Sequence, residues 1–194
     1  MSEITLYLNE YGTEVSSSEA LKLKTFYKKI LNGSDELRWE VYRKGILVKT
    51  SYYISSHSEI QAILVLNPDA SFSLKTLADN YHVTESLSYE NGSRAGKSIT
   101  VKDIRIDKII CHQPYDILTD QPIHTATDKF YYENGLDKYQ FNYSADGSCF
   151  EIQQEEYQED FYAHNIGKDP DITFTWTGFE YYQFSDPYLP ILTT

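Results

Sequence analysis

Alternating stretches of β-branched, aromatic and polar residues, broken by two-residue turns that end in glycine, recur through most of this chain. A period of two sends successive side chains to opposite faces of a strand, and a turn with positive φ brings the next strand back beside it. Leu37, Trp39 and Val41 alternate with Arg38, Glu40 and Tyr42. Lys44-Gly45 then turns the chain, and Ile46, Val48, Thr50, Tyr52 and Ile54 alternate again. Tyr-Glu-Asn-Gly occurs at Tyr89–Gly92 and at Tyr132–Gly135, each time after a strand pattern. Asn-Gly is a strong short-range hairpin signal. The residues around the two copies do not match, so they report hairpins and not an internal repeat.

The class expected from this pattern is α+β, mainly antiparallel β (hairpins and a meander), with one N-terminal helix at about 18–31. Ser16 to Glu19 offers a capping box for that helix and Asn32-Gly33 a stop. Leu23, Phe26, Tyr27, Ile30 and Leu31 share its apolar face. A second, short helix is expected at about 74–81. Ile60 to Leu66 reads as a strand buried on both faces, closed by Asn67-Pro68-Asp69. His82–Glu90 and Lys97–Cys111 read as strands. Phe130–Glu133, Lys138–Tyr143 and Cys149 to about Tyr157 read as a three-stranded meander. In its middle strand Tyr139, Phe141 and Tyr143 share one face, and Lys138, Gln140 and Asn142 the other. A last hairpin is expected to join Ile172–Trp176 to Phe179–Phe184, while Asp186-Pro187 and Pro190 keep the tail out of a central strand. The hairpins are similar to MORN-type repeats in pairing a Tyr with a turn Gly, but keep neither their spacing nor their register, and no family is assigned.

Charge divides the chain. Met1 to Cys111 holds 14 acidic and 14 basic residues, whereas His112 to Thr194 holds 15 carboxylates against Lys129, Lys138 and Lys168. That later stretch also carries 18 of the 29 aromatic residues. One domain over 1–194 is expected, with an internal junction at 112–128 between a charge-neutral half (1–111) and an acidic, aromatic half (129–194). A net charge of -12 disfavours direct nucleic-acid binding, which needs clustered Lys and Arg. No apolar run approaches the roughly 18 residues of a membrane helix, and the N-terminus lacks the basic and apolar regions of a signal peptide. Two cysteines, Cys111 and Cys149, fit a reducing compartment. A cytoplasmic location is therefore expected.

The candidate chemistry is sparse. Gly92-Ser-Arg-Ala-Gly-Lys97-Ser98 resembles a phosphate-binding loop but is one residue short, and the strand-like Ile99–Ile104 follows where a helix is needed. His112, Asp116, Asp120, His124 and Asp128, beside Cys111, are the densest set of metal-ligand types. None of their spacings matches a known site, so they read as a polar connector, and no metal or cofactor is assigned. No nucleophile motif is present, so no catalytic residue is assigned.

The distinctive feature is the run Glu151, Glu155, Glu156, Glu159 and Asp160, interleaved with Tyr157, Phe161 and Tyr162. Such carboxylates repel one another unless a cation offsets them, and aromatic neighbours supply buried anchors at interfaces. The expected partner-binding residues are Glu151, Glu155, Glu156, Tyr157, Glu159, Asp160, Tyr162, Asp169 and Asp171. The expected function is non-enzymatic: an acidic, Tyr-rich surface that neutralises a basic protein partner, as an immunity protein or antitoxin does a nuclease-like toxin, or as a nucleic-acid mimic does a DNA-binding protein. The alternative is a β-rich carbohydrate or small-ligand domain that uses Trp176, Tyr181, Tyr182 and Tyr143. Sequence assigns no oligomeric state.

Overall fold

The computed structural model describes residues 3–154 and 159–190. Strands hold 53% of the described residues, which corrects the expected α+β class to mostly β. Among the described residues the strands are β1 (Glu3–Leu8), β2 (Glu14–Val15), β3 (Thr25–Asn32), β4 (Asp35–Arg43), β5 (Ile46–Ile54), β6 (Ser71–Ala78), β7 (Tyr81–Glu90), β8 (Ser93–Asp103), β9 (Lys108–Tyr115), β10 (Asp128–Glu133), β11 (Leu136–Tyr143), β12 (Cys149–Gln154) and β13 (Glu159–Tyr162). Their hydrogen-bonded order is β13-β12-β11-β10-β9-β8-β7-β6-β5-β4-β3-β1-β2. From β3 onward each strand thus lies beside its neighbour in sequence. The chain divides into two compact units, Met1–Lys75 with Ser86–Ala95, and Thr76–Glu85 with Gly96–Thr194.

The first unit overturns two expectations. The capping box at Ser16 is real: Glu19 reaches back to the Ser16 N–H at 2.9 Å, and the Ser16 hydroxyl accepts from the Glu19 N–H. Yet the helix it starts, α1 (Ser17–Ala20), is one turn long, and the expected helix at 18–31 is replaced by β3. Phe26 and Ile30 lie four residues apart, which suits one face of a helix and one face of a strand equally. The pairing settles it, because β1 and β4 flank β3 and supply its backbone partners. Asn32 closes β3 opposite Asp35, and Gly33-Ser34 is the hairpin turn, with Gly33 at φ 64.

The apolar run expected as a buried strand at 60–66 is instead α2 (Ile60–Leu66). Its signal was Ser56-x-x-Glu59, where the Glu59 carboxylate accepts from the N–H groups of Ser55 and Ser56 at 2.8 and 3.0 Å. Ile60 and Leu64, one turn apart, pack with Ile54, Ala70, Phe72 and Leu87. A helix is needed here because β5 and β6 pair in parallel, which no tight turn can connect.

Further along, the helix expected at 74–81 is the end of β6 followed by a turn at Asp79, whose φ is 50. Lys97–Cys111 forms two strands, not one. The chain turns between β8 and β9, where the Asp103 carboxylate accepts from the Arg105 backbone and guanidinium. Burial and alternation of the β10–β12 meander follow the expectation: Phe141 and Tyr143 are fully buried on the face opposite Gln140 and Asn142.

The hairpin expected over 172–184 does not form. Thr177-Gly178 does turn the chain, with the Phe179 N–H donating to the Trp176 carbonyl at 2.8 Å, but a 3-10 turn at Glu180–Tyr182 follows. Phe174, Trp176, Phe179 and Tyr182 all pack on one cluster with Phe141, which draws both flanks onto the sheet rather than onto each other. Phe141 and Tyr182 stack with centroids 4.4 Å apart.

One cation anchors this covering segment. Lys129, on the covered face of β10, is fully buried. Its Nζ donates to the carbonyls of Tyr181, Phe184 and Pro187 at 2.9, 2.7 and 2.9 Å and lies 3.8 Å from the centre of the Tyr181 ring. Burial lowers its pKa to about 8. Three acceptors nevertheless match the three hydrogens of the ammonium form, and a neutral amine would leave one carbonyl bare. Buried Gln113 adds a second tie, donating to the Ser185 carbonyl and the Asp186 carboxylate at 3.2 and 2.9 Å. Replacing Lys129 with Met removes the donor to all three carbonyls and should cost roughly 3 kcal/mol in urea unfolding. Unchanged stability in K129M would mean that the aromatic contacts and the remaining hydrogen bonds hold the segment without it.

Candidate functional site

At the β13 end of the sheet the covering segment leaves a cleft of about 290 Å³. Tyr139 and Gln154, opposite one another on β11 and β12, face it together with Phe161 of β13. Phe174, Thr173 and Ile172 close the other side, and Asp160, Tyr162, Asn165, Asp169 and Asp171 complete the rim. The aromatic wall is continuous: the Tyr139 and Phe161 rings lie 5.3 and 5.6 Å from that of Phe174.

Local chemistry builds the acidic rim. The Asn165 carbonyl accepts from the N–H groups of Lys168 and Asp169 at 2.9 and 3.0 Å, and the Asp169 carboxylate accepts from the Asp171 N–H at 3.0 Å. Pro170 between them suits this tight turn. The Asp169 and Asp171 residues stay exposed, as does Asp160. Carboxylates beside aromatic ring faces suit an ammonium or guanidinium group, which gains both an ion pair and a cation–π contact.

The expected binding residues separate into groups. Asp160, Tyr162, Asp169 and Asp171 meet around this cleft. Glu151 lies opposite Tyr162 in the register and accepts from the Asn142 amide at 2.9 Å, on the sheet face away from the aromatic cluster. Glu159 opens β13. Glu155, Glu156 and Tyr157 lie outside the described residues. Sequence reasoning missed the walls, Tyr139, Gln154, Phe161 and Phe174. Phe161 alternates with Asp160 and Tyr162 and was legible as facing the opposite way, but nothing local marked residues 165–174 as the far wall.

The other candidates are occupied separately. His112 shares a 3.1 Å hydrogen bond with Thr100, Asp116 caps its own turn through Leu118 and Thr119, and Asp120 pairs with Lys97 at 3.0 Å. His124 shares a 2.7 Å bond with buried Ser185, and Asp128 accepts from Gln140 at 3.2 Å. Among the described residues no three His, Cys, Asp or Glu groups are placed to hold a metal ion. Gly92 closes the hairpin turn after β7, and Ser93–Ser98 already lie in β8. Cys111 and Cys149 are buried free thiols whose pKa burial raises to about 11 and about 12. Among the described residues no helix is long and apolar enough to cross a membrane.

No family model matches the chain, and comparison with curated proteins and with solved structures finds no match either.

Three further tyrosine rings lie in the core of the same unit. Burial pushes the hydroxyls of Tyr143, Tyr181 and Tyr182 well above the usual tyrosine range. Above about pH 10 the unfolded chain releases these protons while the folded chain keeps them, so stability falls as pH rises from there. Tyrosinate absorbance should rise in two steps, the second coinciding with loss of near-ultraviolet circular dichroism. A single step with the fold intact would contradict this burial.

Proposed function

We propose that the chain is a non-enzymatic interaction protein that binds a basic segment of a protein partner at the acidic, aromatic end of its sheet. Its concrete form is an immunity protein or antitoxin that neutralises a nuclease-like toxin in the cytoplasm, or a nucleic-acid mimic acting on a DNA-binding protein. The observation that carries the reading is the cleft in which Asp169 and Asp171 stand beside Tyr139, Phe161 and Phe174, with Asp160 in the strand at its edge. A surface that holds phosphate in a nuclease is cationic, and carboxylates on an aromatic floor are complementary to it.

The carbohydrate alternative is less well supported. Its candidate rings are spent in packing: Tyr143 is buried, Tyr181 lies under Lys129, Tyr182 stacks on Phe141, and Trp176 packs edge-on to Phe174.

The test is capture of basic proteins, including nuclease toxins, at low and high salt, repeated with the D160N/D169N/D171N variant. Binding at low salt should weaken as salt rises, and the triple variant should weaken it by roughly tenfold. Absence of capture at low salt, or capture indifferent to both changes, rejects the proposal. A neutral glycan that raises the melting temperature would favour the alternative.

A further inference from the structure

β13 does more than frame the cleft, because it is the last strand of the sheet. Its four residues pair with β12 on one side, from Glu151 opposite Tyr162 to Gln154 opposite Glu159. Among the described residues no strand pairs with its other side, so a row of backbone N–H and C=O groups faces outward. Such an edge accepts a further extended chain unless something blocks it.

Charge decides which chain is accepted. Glu159 and Asp160 lie in the strand itself, and Asp169 and Asp171 stand on the cleft rim beside it. A second copy of β13 would bring two more carboxylates against these, so pairing of the edge with itself is opposed. Lys168 is the only lysine or arginine between Glu159 and Pro190. A basic strand meets no comparable opposition. Geometry adds a second selection, since Asp160, Phe161 and Tyr162 belong both to the edge and to the lining of the cleft. A chain laid along β13 places alternate side chains over that opening. Exposed Tyr162, stacked on His164 with centroids 5.8 Å apart, offers an apolar contact at the end of the strand.

We infer that the partner's basic segment binds by adding to the sheet as a strand alongside β13, with a lysine or arginine side chain set over Asp169 and Asp171 on the rim of the cleft. This rests on the cation-binding reading above and states its mode: main-chain hydrogen bonds give affinity, and the cleft gives selectivity.

An octapeptide of alternating lysine and valine tests it, with two versions N-methylated on one or the other alternate set of residues. Methylation removes amide protons without changing charge. Only one edge of an added strand faces β13, so methylation of one set should weaken binding by about tenfold or more, and of the other set hardly at all. The unmodified peptide should also slow hydrogen exchange at the β13 amides. If all three peptides bind equally and binding falls with salt, strand addition is wrong and the cation-binding reading stands. If none binds while basic proteins are captured, strand addition is again wrong. If neither peptides nor basic proteins bind at low salt, both ideas fall.

Discussion

A single buried ammonium holds the covering segment of the second unit against its sheet. Lys129 satisfies three carbonyls of one short stretch, Tyr181 to Pro187, from near the start of a strand more than fifty positions earlier. A hydrophobic residue there would fill space equally well but leave those carbonyls without a donor. The aromatic cluster around Phe141 supplies attraction without direction, and Lys129 with Gln113 supplies the register at which the segment lies. The far wall of the cleft belongs to the same covering segment, so the site inherits its geometry from this core.

Much of the strand architecture was legible from local signals. Lys44-Gly45, Asn91-Gly92 and Asn134-Gly135 all adopt positive φ at both positions, as two-residue hairpins of this hand require. Tyr139, Phe141 and Tyr143 fell on the buried face because a period of two admits no other division. The failures arose where two periods coincide. Phe26 and Ile30 satisfy helix and strand alike, and only the strands on either side of β3 decide between them. Ile60 to Leu66 is apolar at nearly every position, which masks the helical spacing of Ile60, Ile63 and Leu64, and its neighbouring capping box was the better guide.

The candidate site was half legible for a related reason. Carboxylates advertise themselves by type, so Asp160, Asp169 and Asp171 stood out before any fold was known. The walls they border did not, because Tyr139 and Phe174 look like any other core aromatics. A cleft is a property of two segments brought together, and nothing in either segment alone records the meeting. The 172–184 region shows the same limit: its alternation was sound, but the sheet beneath it, not a hairpin partner, captured its rings.

The order of the strands also implies an order of assembly. From β3 onward each strand pairs with its neighbour in sequence, through tight turns and short loops apart from the parallel β5–β6 crossover, so loop closure costs little. The bonds from Gln113 to Ser185 and from Lys129 to Pro187 span far longer loops. We expect these to close last, and hydrogen-exchange labelling during refolding would contradict that if the 181–187 stretch were protected before the β10–β11 hairpin. A cleft with one wall in the sheet and one in the covering segment then forms only when that segment is seated. Recognition there, as proposed above, would then depend on contacts distant from the cleft in sequence.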